Sequence, residues 1–278
     1  MDTPPLPLGT QPLSNQVGGH AFGRGKTKLG MLEKDGVVLK PLQTPPRGER
    51  ELNFYKEAFS CEQKWALDLR PLLPTFQGEW HTDQHPDVTY CALENITQRF
   101  RFPCILDAKV GAMTSDPLAT PEKIRREKAK CRWKAKTGFS LIGLKVFNPT
   151  NSEWKTVNSH YLRHIDESEI LSQGLNIFFN RNHANFNPRI VEIFIEKIKR
   201  IQLWFEEQRK FAFYSSSILF VYDAAILLNS ADAAADCSQF ADARMIDFAH
   251  VFPSGERDEN YITGLEGLVQ YFRKVIDL

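Results

Sequence analysis

The sequence lacks most of the features that would place it in a membrane, outside the cell or on a nucleic acid. No apolar run is long enough to span a bilayer, so no transmembrane segment is expected. The opening residues, M-D-T-P-P-L-P-L-G-T, have neither the charged nor the apolar region of a signal peptide. Cysteine is scarce: Cys61, Cys91, Cys104, Cys131 and Cys237 are scattered, odd in number and free of C-x-x-C spacing. That pattern argues against a disulfide framework and a zinc site, and for a reducing compartment, cytoplasm or nucleus. Net charge is only +1, so no global field commits the chain to nucleic acid, which is not expected as a partner. Asn95-Ile96-Thr97 fits the glycosylation sequon but has no meaning without secretion.

Two familiar signatures are also missing. Gly18 to Thr27 ends in Gly25-Lys26-Thr27, but a P-loop needs glycine five places before Gly25, and that place holds His20. No H-R-D-x-x-x-x-N loop is present, so a protein kinase would lack its catalytic base. His81 with His85, and His160 with His164, are four apart in loop-like stretches, and neither pair is expected to hold a metal.

What remains is a chain of 278 residues, 42% hydrophobic and 25% charged, enough for one large domain or two lobes around a real core. Residues 1–15 are rich in proline and polar groups and are expected to form a disordered tail. Asp35-Gly36, flanked by Leu29–Leu32 and Val37–Leu42, predicts a hairpin. Gly48–Phe59 has helical spacing, and Thr75–Trp80 and Val88–Leu93 read as strands. Ser140–Phe147 and Glu153–Val157 make another strand pair, and Asn187–Lys210 is the clearest amphipathic helix. Phe213–Tyr222 reads as one buried strand, Asp223–Ala243 as a surface loop, Arg244–Phe248 as a strand and Tyr261–Leu278 as a closing helix.

The chemistry centres on Pro103–Gly111, P-C-I-L-D-A-K-V-G. Residues two apart on a strand face the same side, so Asp107 and Lys109 can point into one cleft while Leu106 and Ala108 face a core. An acid and an ammonium aimed at one spot suit phosphoryl transfer, and a surface ion pair is the competing reading. A second signal follows at once. Of the sixteen residues Pro121–Lys136, eight are Lys or Arg, and Lys123, Arg126 and Lys130 share a face at helical spacing. A solvated helix, a nuclear-import or nucleic-acid patch, and a docking surface for a polyphosphorylated ring all fit that pattern; its closeness to Asp107 favours the last.

P-x-x-x-D-x-K-x-G is the signature of the inositol polyphosphate kinase family, which the chain resembles over roughly residues 16 to 278. Val38-Leu39-Lys40 is similar to the family's lysine strand. Ser216-Ser217-Ile218-Leu219 resembles its S-S-L-L element, and Met245-Ile246-Asp247-Phe248-Ala249-His250 its I-D-F-A-H metal motif. The resemblance implies an α+β, two-lobed kinase-like fold, of SAICAR-synthase-like type, with an ATP cleft between lobes. The lobes would be 16–97 and 98–278, with a short inositol-phosphate-binding helical segment at 112–138. It implies a monomer using ATP and magnesium (Mg2+). Lys40 would hold ATP phosphates, backbone groups at Glu94 and Ile96 the adenine, and Asp247 the metal. Asp107 would act on the substrate hydroxyl or the ribose, Lys109 on the transferred phosphoryl group, and His250 at the reacting region. Arg47, Lys109, Lys123, Arg126, Lys130 and His250 would meet inositol polyphosphates, with a phosphoinositide lipid headgroup left open. Arg126 and Glu127 depart from the glutamines that animal multikinases tend to carry there. The short 112–138 segment favours a kinase of several inositol phosphates. A hexakisphosphate kinase and a scaffold without catalysis are the alternatives.

Overall fold

The computed structural model describes residues 4–19, 22–23, 28–228 and 237–277. Its first sheet starts with β1 (Gln11–Pro12), β2 (Leu32–Lys34) and β3 (Val37–Pro41). Asp35 and Gly36 join the last two with φ of 50° and 81°, the double positive φ that a tight hairpin of native twist needs. Helix α1 (Arg47–Ser60) turns its buried face, including Leu52, Phe54, Tyr55 and Ala58, towards the core, and the short α2 (Lys64–Leu69) follows. Strands β4 (Phe76–Trp80) and β5 (Tyr90–Glu94) complete an antiparallel sheet in the order β1-β2-β3-β5-β4.

The second sheet is built around β6 (Pro103–Val110), whose residues are buried except for the half-buried Lys109. After it come α3 (Pro121–Ala129), α4 (Lys134–Thr137), β7 (Phe139–Asn148), β8 (Glu153–Val157), α5 (Ser159–His164) and α6 (Asn176–Phe178). The long α7 (Pro188–Glu207) has Pro188 in its first turn, and the Asn187 side chain accepts from the Arg189 N–H; both devices fix a helix start. Strands β9 (Phe211–Phe213), β10 (Ser217–Asp223), β11 (Ala241–Ile246) and β12 (Val251–Pro253) precede α8 (Glu259–Asp277). The sheet order is β11-β10-β6-β7-β8, all antiparallel. One large apolar cluster joins α1 and β5 of the first half to this sheet and to α7 and α8.

Several expectations are corrected. In the segment expected as a disordered tail over 1–15, residues 4–15 make defined contacts. Its polar backbone finds partners: Gln11 and Pro12 pair with Glu33 and Leu32, Leu13 N–H donates to Met31 O at 3.0 Å, and His85 Nε2 meets Pro5 O at 2.9 Å. The basic stretch is two helices, because Cys131 and Trp133 turn inward between them and Trp133 packs edge-to-face on Phe139. The expected strand Phe213–Tyr222 breaks at Ser215, whose φ is 58°. Part of the expected loop 223–243 is structured: Asp223 caps Arg101 and Phe102, and Ala224–Leu227 form a buried turn. Residues 229–236 of that loop, and His20, Ala21 and Arg24–Thr27 of the glycine-rich stretch, lie outside the described residues.

Candidate active site

Register brings the motifs together. Strand β10 lies between β6 and β11, and Ser217 faces Lys109 on one side and Ile246 on the other. The end of β11 therefore delivers Asp247 to the same edge that carries Asp107 and Lys109. Asp247 stands just past the strand with φ of 67°, a left-handed conformation uncommon outside glycine but more accessible to aspartate and asparagine than to most residues.

A cleft of about 770 Å³, its open mouth included, runs between the two sheets and is lined by Lys40, Glu94, Ile96, Asp107 and Asp247. Its inner walls are apolar, from Val38 and Leu93 on one side to Leu219 and Ile246 on the other. The Ile96 N–H donates to no group among the described residues. Glu94 is tied down instead, its carboxylate accepting from Thr75 N–H and Oγ1 at 3.0 and 2.9 Å.

Lys40 is a largely buried cation. Its ammonium reaches Asp247 Oδ1 at 2.5 Å and Glu51 Oε1 at 2.7 Å. Burial works against the ammonium, but the two carboxylates outweigh it and hold its pKa far above the usual value. Glu51, 1% exposed, also accepts the Phe248 N–H at 3.0 Å, so one helix residue fixes both the lysine and the chain beside Asp247. A strand lysine paired with a helix glutamate is the device protein kinases use to present a lysine to phosphate. For Asp247, burial disfavours the charged form, yet the Lys40 and Lys109 charges keep its carboxyl below the ordinary range. Its Oδ2 has no hydrogen-bond partner among the described residues, which leaves an oxygen for a cation.

Asp107 behaves differently. Burial, then the charge of Asp247, pushes its carboxyl up to about 6, against the pull of Lys109. Its Oδ1 is buried with no hydrogen-bond partner of good geometry among the described residues, although the Ser217 hydroxyl lies close enough to favour the charged form. The backbone of Gly18 covers the other oxygen so closely that a Cβ there would collide with Asp107 Oδ2. Only glycine permits that approach. The segment 13–18 is held in place by Lys145, whose Nζ donates to Asn15 Oδ1 at 2.9 Å and Ser14 O at 3.2 Å.

The acceptor side is built from α3 and the loops around it. The break at Ser215 presents a carbonyl to Lys109 Nζ at 2.9 Å. His250 Nδ1 lies 2.6 Å from Asp116 Oδ2, and Lys123 Nζ lies 3.5 Å from the same oxygen. Burial lowers the His250 pKa, and the bond to Asp116 opposes the shift. Asp116, 6% exposed, is thus the joint between the histidine and the basic helix. Lys130 pairs with Glu127 at 2.5 Å. Arg126 is exposed and makes no side-chain bond among the described residues. Arg47 is also exposed, with Thr44 Oγ1 at 3.4 Å as its side-chain partner. The arginine that reaches the 247–250 segment is Arg50, which donates to Ala249 O at 2.8 Å and covers the Phe252 ring.

Comparison with known proteins agrees with this geometry. The profile of the inositol polyphosphate kinase family matches residues 90–273. The chain belongs to the inositol polyphosphate kinase family. It is 40% identical over 228 residues to an inositol polyphosphate multikinase of Rattus norvegicus, a match covering 80% of this chain and 57% of that one. The chain thus spans little more than half the length of that relative. An inositol polyphosphate multikinase alpha of Arabidopsis thaliana is 26% identical, with 94% of each covered. Among solved structures, an inositol phosphate multikinase from S. cerevisiae in complex with ADP and Mn2+ aligns with a TM-score of 0.68 at 23% identity. That alignment covers 86% of this chain and 99% of that one. The two-lobed, α+β kinase-like fold is therefore that of the family.

Sequence reasoning passed over Asp116 and gave Glu51 no role. Asp116 is the only acid between Asp107 and Glu122, a signal that composition counts do not raise. Glu51 could have been sought as the helix partner of the strand lysine.

Proposed function

We propose that the protein transfers the γ-phosphoryl group of ATP, with a divalent cation such as magnesium, to hydroxyls of soluble inositol polyphosphates. The observation that carries this reading is the convergence of the Lys40–Asp247 pair and the Asp107 carboxylate in an apolar cleft, with Lys109 two residues along the same strand. The slot between Val38, Leu93, Leu219 and Ile246 suits a purine, and the Ile96 N–H is free to meet it. Lys40 would donate to ATP phosphates and Asp247 would hold the cation. The cation held at Asp247 would supply positive charge against the ATP phosphates.

In the transfer, the acceptor oxygen forms its bond to the γ-phosphorus as the bond to the ADP oxygen breaks. The hydroxyl proton passes to Asp107, whose raised pKa suits a base near neutral pH. Lys109 stands where charge spreads over the moving group, and His250, oriented by Asp116, faces the acceptor side. Lys123 and Lys130 would hold ring phosphates. The short 112–138 segment supports a multikinase acting on tris- and tetrakisphosphates, up to the pentakisphosphate. We place it as a monomer in cytoplasm or nucleus; the free Cys61, Cys91, Cys104 and Cys131 suit a reducing compartment.

Asp247→Asn is expected to cut turnover by about a thousandfold, the scale of losing a main electrostatic contact in a transition state. Circular dichroism should show the fold retained. A purified wild type that phosphorylates no inositol phosphate at all overturns the reading. NMR mapping of products from several inositol phosphates should show more than one hydroxyl modified; a single product from a single substrate removes the multikinase assignment.

A further inference from the structure

We propose that Lys134, Lys109 and Lys130 form an additional phosphate subsite in the acceptor cleft, and that Glu127 occupies it as a built-in counter-anion. The proposal rests on the kinase reading above and adds a specificity element to it.

Lys134 is an unusual lysine. It opens α4, directly after the inward turn at Cys131–Trp133, and is only 6% exposed. Among the described residues its ammonium has one hydrogen-bond partner, the neutral Thr114 Oγ1, at 2.8 Å. A buried ammonium normally sits against a carboxylate, because a lone neutral acceptor offsets little of its lost hydration. The position is tied to the transfer site by short links. Ser215 Oγ donates to Thr114 O at 2.9 Å, and the Ser215 carbonyl accepts from Lys109 at 2.9 Å. Lys109 and Lys134 are thus linked through the Thr114–Ser215 contact.

The three ammonium groups repel one another, and the carboxylates that answer them are shared unevenly. Lys109 also faces Asp107 and Asp247, whereas Glu127 accepts from Lys130 at 2.5 Å and lies within reach of the Lys134 charge. Among the described residues Lys130 and Lys134 share Glu127 as their carboxylate, two cations to one anion, and a phosphate group restores the balance. Glu127 supplies part of that negative charge permanently. A substrate phosphate entering the subsite must displace the carboxylate or tolerate it, so Glu127 disfavours the most highly phosphorylated rings. Lys134 acts in the opposite sense.

Calorimetry on the full chain, with inositol hexakisphosphate and with ATP as separate probes, tests this. Glu127→Gln should tighten hexakisphosphate binding about tenfold, and Lys134→Met should weaken it about tenfold, on the scale of one charge-assisted bond. ATP affinity should move by less than about twofold in both, because neither Glu127 nor Lys134 lines the cleft proposed for the nucleotide. Glu127 lies on a solvent-facing helix, so Glu127→Gln still decides the matter if Lys134→Met does not fold. A wild type that binds hexakisphosphate with unchanged affinity in Glu127→Gln overturns the subsite and leaves the kinase reading standing. A wild type that binds ATP but no inositol phosphate overturns both. A Lys134→Met protein that melts lower yet binds as the wild type does shows the lysine to be structural and also overturns the subsite.

Discussion

Replacing Asp107 with Asn is expected to make the protein more stable at pH 7 while abolishing phosphoryl transfer. The carboxylate is 4% exposed, has an oxygen with no hydrogen-bond partner of good geometry and faces a second acid, so its charged form is strained in the native state. A carboxyl whose folded pKa is raised binds its proton more tightly when folded. Native stability therefore falls as pH rises from the unfolded value near 3.8 through the folded value of about 6, and the deficit is complete above that. A shift of about two units corresponds to about 3 kcal/mol. Asparagine keeps the shape without the charge, so the gain should be largest near pH 7 and vanish below about pH 4. Thermal melts of both proteins across that range check it. An advantage independent of pH, or a loss of stability at pH 7, contradicts the assignment.

The opposite result is expected for Lys40→Met. Removing the ammonium leaves Glu51 at 1% exposure and Asp247 beside it without the cation that both share. Breaking a buried ion pair from one side costs about 3–5 kcal/mol, and the partial exposure of Asp247 places the expected loss at the lower end, about 3 kcal/mol. Turnover should disappear as well, since the same ammonium is proposed to meet ATP. Urea unfolding measures the first effect; a loss under about 1 kcal/mol would mean that the triad carries little of the fold. Asp107 and Lys40 thus separate two kinds of active-site charge, one that strains the protein and one that helps to hold it together.

Much of this was readable in the chain. The alternation around Asp107 and Lys109 fixed a strand whose acid and lysine share a face, and the Asp35-Gly36 turn located Lys40 on the second strand of a hairpin. The acidic end of β11 was visible at Asp247, although its position past the strand was not. What escaped has a common cause: it depends on contacts between distant segments. Asp116 matters because His250, far along the chain, folds back onto it. Lys134 is one of eight basic residues in Pro121–Lys136, and only the inward turn of Cys131 and Trp133 buries it. Ser215 looked like part of a strand until the sheet pairing placed β9 with β12 and β10 with β6. The proline-rich start suggested disorder because composition does not record that a neighbouring strand edge stands ready to pair with it.

The path of the segment 13–18 bears on how the protein assembles. Its anchors are Met31, Thr97 and Lys145, and Gly18 closes over Asp107. Ser14 and Asn15 must therefore wait for Lys145, more than a hundred positions later, before they can settle. Such contacts carry a loop-closure cost and form late, after the second sheet that they rest on. The cleft is thus roofed late, by a segment synthesised well before the strands beneath it. A bulky insertion in this segment would act on assembly of the nucleotide side and leave the second sheet able to form.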